Sequence, residues 1–282
     1  MRTVLICQED APLARDGMPR WLSSCSELAG VVVLHETQTR RWRRIKREAK
    51  RIGWLRMLDV VAFRIWQRGF LAAADSLYCK SRLAELKAKY PEVRKDLPTL
   101  KTTSPNSPEC VAFLNSLQPD VVLASCKHIL KPHVFEIAKT GTFAMHPGIC
   151  PEYRNAHGCF WALANGDLGN IGTTLLKIDA GVDTGPVYGY FRGSFDAARE
   201  TPMMIQRRMT FDHLEEIGER MREVHQGTAK PIDTRGRASK EWGQPWLTKY
   251  LSWKWLARRR ARRDVRKSVA SRVGVASAVG SR

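Results

Sequence analysis

The sequence predicts an α/β fold built on an open, mostly parallel sheet. Three observations predict it. Residues 3–7 and 30–35 are apolar runs of strand length, and the spacing of Trp21, Leu22, Cys25 and Leu28 between them is helical. Val121, Val122, Leu123 and Ala124 form a further apolar strand that follows a helical segment. With 282 residues and 43% apolar composition, the chain can bury one large core and carry an appendage.

Taken in order, the strand at 3–7 runs into Gln8-Glu9-Asp10-Ala11-Pro12, which lacks the glycine-rich turn of a dinucleotide site, so NAD binding is not supported. Residues 19–28 read as a helix and 30–35 as the second strand. Residues 40–90 are mostly helical, with Trp42, Ile45, Ala49, Ile52 and Leu55 recurring at steps of three or four. A loop rich in Thr, Ser and Pro covers 97–108. Ser107-Pro108-Glu109 then starts a helix, a capping hydroxyl followed by proline at the first helical position. Its apolar face is Val111, Leu114 and Leu117, and Pro119-Asp120 ends it. A short helix begins near Pro132, and residues 142–145 return to the sheet. Residues 200–282 read as helix and coil without a strand.

Charge divides the chain. Lys and Arg number 47 against 28 Asp and Glu, a net +19. Residues 40–56 hold nine bases and one acid, and residues 254–282 hold ten bases and one acid, which leaves only +2 for everything else. A uniformly basic protein is excluded; a near-neutral body carries two basic attachments. Tryptophans lie in or beside both, at 42 and 54 and at 253 and 255, which suits either RNA or an anionic membrane surface bound through residues 40–56 and 254–267. Residues 1–199 read as the body with a basic helical insertion at 38–95. Residues 200–250 read as a helical extension, and 251–282 as a basic, disordered tail. Gln244-Pro245-Trp246 reads as an anchor packing on the body.

Other classes fall quickly. The N-terminus turns polar too soon for a signal peptide, and no charge-free stretch exceeds twelve residues, so no membrane-spanning helix is expected. Seven cysteines with no Cys-x-x-Cys pair argue against a disulfide framework and against a zinc site; no metal is expected. A reducing cytoplasm is the simplest location, with a peripheral position at a membrane left open. Cys150 and Cys159 read as small buried apolar residues.

The chemistry concentrates in residues 141–191. His146 falls where a strand ends and Pro147-Gly148 forces a turn, and ligands of open α/β sheets bind at such carboxyl ends. Downstream, Ala180-Gly181-Val182-Asp183-Thr184-Gly185 is a tight loop between two strands, placing Asp183 at a turn.

These two segments resemble the folate-dependent formyltransferases, which include glycinamide ribonucleotide, methionyl-tRNA and sugar-nucleotide formyltransferases. One motif is His-Pro-x-x-x-Pro-x-Tyr-Arg, from His146 to Arg154. The other is Gly-x-Thr-x-x-x-x-Asp-x-Gly-x-Asp-Thr-Gly, from Gly172 to Gly185. His128-Ile129-Leu130-Lys131-Pro132 is similar to the family loop that lines the pteridine pocket. The resemblance covers residues 107–191, and more weakly the N-terminal strands. It implies a Rossmann-like sheet of the formyltransferase fold and transfer of a formyl group from 10-formyltetrahydrofolate to a primary amine.

The resemblance also implies roles. His146 is the catalytic histidine and Asp183 the aspartate that sets its protonation. Ile129, Leu130, Asp179 and Ala180 would bind the folate. The family asparagine two residues before the histidine is replaced here by Ala144, which cannot donate a hydrogen bond. Asn155 or His157 could substitute as the oxyanion donor. Otherwise the enzyme acts slowly or on an unusual acceptor, or the domain is a catalytically impaired folate- or nucleotide-binding protein. An amino-sugar nucleotide is the favoured acceptor. Initiator tRNA is the alternative, since methionyl-tRNA formyltransferases carry a basic insertion in a place comparable to 40–56. Those enzymes, however, end in a β-barrel domain that residues 200–282 do not resemble.

Overall fold

The structure, a computed structural model, describes residues 1–279, with side chains described as far as Arg263. The chain runs β1 (Arg2–Gln8), α1 (Met18–Cys25), β2 (Glu27–Leu34), then three inserted helices, α2 (Gln38–Ile52), α3 (Trp54–Trp66) and α4 (Ala72–Lys89). It continues through β3 (Thr99–Thr102), α5 (Pro108–Leu117), β4 (Val121–Ser125), α6 (Pro132–Phe135) and β5 (Gly141–His146). Next come β6 (Arg154–Asn155), α7 (Gly158–Ala164), β7 (Thr173–Lys177) and β8 (Val187–Phe191). The C-terminal part is α8 (Pro202–Phe211), α9 (Leu214–His225), β9 (Glu241–Trp242) and α10 (Leu247–Val279).

Seven strands form one sheet in the order β3-β2-β1-β4-β5-β7-β8. The pairs from β3 to β5 are parallel, and β7 and β8 add on antiparallel. Successive residues of the central strands face opposite sides, so each strand must be apolar throughout. Leu5, Val31, Val33, Leu123 and Phe143 pack with Trp21 and Leu22 of α1 and Ile217 and Met221 of α9. Val4, Ile6, Val32 and Val122 pack on the other side against Leu114 of α5 and Val134 of α6. Each such side chain contributes about 1.5–3 kcal/mol when fully buried.

The α/β expectation therefore holds, and the helix start at Ser107 forms as its residues predict. Ser107 Oγ accepts from the Cys110 N–H at 3.3 Å, with Pro108 at the first helical position. Several elements differ from expectation. α1 ends at Cys25, and Leu28 belongs to β2, because parallel pairing with β1 begins at Glu27. The 97–108 loop contains β3, an edge strand whose Thr-Leu-Lys-Thr sequence lacks the apolar run of a central strand. Ile45, Ala49 and Ile52 do pack inward on α2, but Trp42 and Leu55 are exposed; Gly53, at φ 84°, breaks the helix between Ile52 and Leu55.

The segment after residue 200 contains a strand after all, since β9 pairs in parallel with β6. The tail expected to be disordered from 251 begins inside α10, where Tyr250, Trp253 and Lys254 are buried against the body. Side chains from 264 onward lie outside the described residues, as does the whole of 280–282. Gln244 and Trp246 anchor as expected. The Gln244 N–H donates to Glu48 at 3.0 Å, and Trp246 lies beneath the Arg56 guanidinium, 4.7 Å from its ring centre. Among the described residues, no helix is long and apolar enough to cross a membrane.

Candidate active site

His146 is the last residue of β5, opposite Thr174 of β7. The turn after it lies hard against the start of α7. A Cβ on Gly148 would come within 2.8 Å of the Gly158 Cα, so both positions need glycine for the turn to seat there. His146 is buried, with Nε2 2.7 Å from the Tyr153 carbonyl oxygen and Nδ1 3.3 Å from Asp183 Oδ2. The Tyr153 carbonyl can only accept, so Nε2 carries the proton donated to it, and Nδ1 faces the Asp183 carboxylate.

Asp183 reaches His146 from the loop between β7 and β8, with its backbone in the left-handed region at φ 52°. Its Oδ2 also accepts from the Asn155 N–H at 2.8 Å. Asp179 folds the loop by accepting from the Gly181 N–H at 3.0 Å and from Thr184 Oγ1 at 2.7 Å. Arg154 donates to the Val182 carbonyl at 2.8 Å, which ties the two motif loops together. A Cβ on Gly185 would fall 1.9 Å from the Lys177 carbonyl oxygen, so no other residue fits the loop's exit.

The two candidate substitute donors are otherwise engaged. The Asn155 side-chain amide donates to the Trp242 carbonyl at 2.8 Å, and its backbone N–H is held by Asp183. Burial pushes His157 down to about 4, the nearby Arg64 charge acts in the same direction, and a hydrogen bond to Gln244 partly opposes them. Neither side chain lines the cleft beside Asp183.

That cleft, about 110 Å³, lies between the interior strands β4, β5 and β7 and two loops. His128, Ile129 and Leu130 form one wall, and Leu176, Ile178, Asp179 and Asp183 line another part of it. Ala144 also faces the cleft, paired opposite Leu176, so an apolar surface stands where the family pattern has an amide. Ala180 is exposed and is not part of the lining. A larger groove of about 310 Å³, lined by Tyr78, Arg82, Arg208 and Asp212, includes no residue of either motif. Its cations are already paired, Arg82 with Glu85 and Asp212, and Arg208 with Glu200.

Two features carried no assigned role in the sequence. His128 is buried in the cleft wall, with Nε2 3.2 Å from the Thr103 carbonyl and Nδ1 3.0 Å from the Gln8 amide. Burial pushes it down to about 4, helped by the Arg40 charge. Its place in the 128–132 loop was the available signal. The second feature is a C-terminal strap. Trp242 stacks on Tyr153 and Trp161, with ring centres 5.6 and 4.8 Å apart, and its indole N–H donates to the Glu152 carbonyl at 2.9 Å. Arg237 adds a bidentate pair to Glu152. Cys150 and Cys159 are buried, as expected; burial pushes both thiols up, Cys159 to about 12, which removes them as nucleophiles.

A model of the family described as formyl transferase matches residues 73–215, which include His146, Asp183 and the cleft loops. The chain belongs to the formyl transferase family. It is 33% identical over 112 residues to the methionyl-tRNA formyltransferase of Dehalococcoides mccartyi strain CBDB1, covering 39% of this chain and 36% of that one. It is 34% identical over 122 residues to the corresponding Thermotoga neapolitana protein, covering 43% and 36%. The aligned part thus spans about a third of the length of these curated relatives. Among solved structures, glycinamide ribonucleotide transformylase 1 from Symbiobacterium toebii superposes with a TM-score of 0.52 at 14% identity, covering 83% of this chain and 94% of that one. A Shewanella sugar N-formyltransferase gives a TM-score of 0.51 at 12% identity, covering 86% and 77%. These two likenesses establish the formyl transferase fold.

Proposed function

We propose that this formyl transferase family member moves a formyl group from 10-formyltetrahydrofolate to a primary amine carried by a small molecule, with an amino-sugar nucleotide as the favoured acceptor. The observation that carries the reading is the His146–Asp183 contact at 3.3 Å, made beside a cleft that Ile129, Leu130 and Asp179 also line. The cleft suits the folate, because a flat ring needs apolar walls and polar groups at its edge, and Leu176, Ile178 and Asp179 provide both.

The folate supplies an activated formyl carbon. The amine must attack it unprotonated, so a neighbouring group has to take a proton as the new C–N bond forms. Asp183 is the cleft-lining carboxylate that does this, directly or through one water. His146 stays behind it as a positioning group, since its two nitrogens face the Tyr153 carbonyl and Asp183. Ala144 leaves the oxyanion without the family amide, which favours a slow turnover.

We assign the catalytic part to residues 1–199, with the insertion at 38–95; within the 200–250 extension, residues 237–243 lie against 152–161. The test is formyl release from 10-formyltetrahydrofolate in the presence of a panel of amines, including amino-sugar nucleotides and initiator methionyl-tRNA. Folate binding without turnover on any amine would replace the reading with that of a catalytically impaired binding protein.

A further inference from the structure

We propose that the outer face of α2 and α3 is a docking surface for an anionic lipid bilayer. α3 has two apolar faces. Met57, Val60 and Phe63 are buried against the body. On the opposite side, Trp54, Leu55, Leu58, Val61 and Ile65 fall within an arc of about 120° at helical spacing, and no charged residue of α3 falls inside it. Leu55 is 85% exposed, Trp54 72%, Leu58 68% and Ile65 66%. A second apolar stripe, free of charge and facing away from the core, is not needed for folding.

The charge around the stripe identifies the occupant. α2 and α3 contain only two acids, Glu48 and Asp59. Both are turned to the body: Glu48 accepts from the Gln244 N–H at 3.0 Å, and Asp59 accepts from the Thr248 N–H at 3.0 Å. Arg56 and Arg64 of α3 also turn to the body, over Trp246 and onto the Gln244 amide, so the outward cations of the pair are those of α2 and the outward apolar row is that of α3. Arg43, Arg47 and Lys50 are exposed on α2, next to the exposed Trp42. Basic side chains flanking an apolar strip with tryptophans is the pattern of a helix lying in a lipid interface, with its apolar side among acyl chains and its cations among headgroup phosphates.

Two other occupants fit less well. A second copy packed isologously on this face would bring two segments of +8 charge together, which is repulsive. RNA would be served by the arginines but gains nothing from an uncharged aliphatic row, since bases stack on aromatic planes rather than on Leu55, Leu58 and Ile65.

The experiment uses the full chain and vesicles of phosphatidylcholine, alone or mixed with phosphatidylglycerol. Sedimentation should show binding to the mixed vesicles only, weakening as salt rises. The variant Leu55→Ser/Leu58→Ser/Ile65→Ser changes only exposed side chains and should reduce partitioning about tenfold or more, with an unchanged melting curve. Arg43→Gln/Arg47→Gln/Lys50→Gln should weaken it comparably. Absence of vesicle binding, or binding that ignores the leucine and isoleucine changes, overturns the proposal. So does a dimer, or a tRNA complex, that the same apolar variant disrupts while vesicles are ignored.

Discussion

The Nδ1 of His146 lies 3.3 Å from Oδ2 of Asp183, and the same oxygen accepts the backbone N–H of Asn155 at 2.8 Å. One carboxylate oxygen thus joins the end of β5, the β6 segment and the loop before β8. The loops it joins are the two that carry the formyl transferase motifs. The carboxylate therefore has a structural task as well as a chemical one, and a test of its role must separate them.

Asp183→Asn does so. An asparagine oxygen can still accept from the Asn155 N–H, so the loop should keep its shape and the melting temperature should change little. Its amide cannot take a proton. We expect kcat for formyl transfer to fall about a hundredfold or more, with KM for the folate nearly unchanged. A parallel rise in KM and loss of stability would instead mark Asp183 as a loop clamp only.

Ala144→Asn tests the missing oxyanion donor. Ala144 and His146 are two residues apart on β5 and so share a face of the sheet. Ala144 opens on the cleft, which leaves room for the larger side chain. If no other group serves the oxyanion, the new amide should raise kcat by about tenfold or more, toward the effect usual for such donors. An unchanged kcat would mean that a donor already occupies the position.

The stability of the protein should fall on the acid side. Burial lowers His128 and His157 from an ordinary value of 6.5 to about 4. Between those values the unfolded chain binds protons that the folded chain does not, so stability rises with pH across the window and is lost as pH falls through it. Each histidine contributes at most about 1.4 kcal/mol per pH unit there. His157 is partly exposed by surface area, so His128 should dominate. Urea midpoints measured from pH 7 to 4 should decline, and His128→Gln should flatten the decline; an unaltered slope in that variant would rule out the assignment.

The sheet and the paired motifs were legible because their signals are local: apolar strands, Pro147-Gly148 after His146, and glycines flanking Asp183. The missed parts depend on distant partners. β3 is an edge strand, and its polar Thr99 and Lys101 are exposed. The outward stripe of α3 and its inward one both consist of apolar residues, so periodicity alone could not say which face meets the core. Asn155 looked free as a donor because its acceptor, the Trp242 carbonyl, is 87 residues away in sequence. Charge was legible as two blocks, but only the folded chain shows Glu48 and Asp59 turned inward.

Trp242 fills the space between Tyr153 and Trp161, and its carbonyl holds the Asn155 amide while its indole holds the Glu152 carbonyl. Removing the ring leaves a cavity beside the aromatic cluster and deletes the indole hydrogen bond to the Glu152 carbonyl, which loosens the 152–155 segment whose Asn155 N–H the Asp183 carboxylate accepts. Trp242→Ala should therefore cost about 3 kcal/mol of stability, near the lower end for a large aromatic because the residue is only partly buried. Trp242→Phe should recover most of the stacking but not the hydrogen bond to Glu152. If the strap positions Asp183, kcat should follow the same order, wild type above Trp242→Phe above Trp242→Ala, when assayed at a temperature where all three are folded. Equal kcat in all three would show that the 148–157 loop holds Asp183 without help from the C-terminal segment.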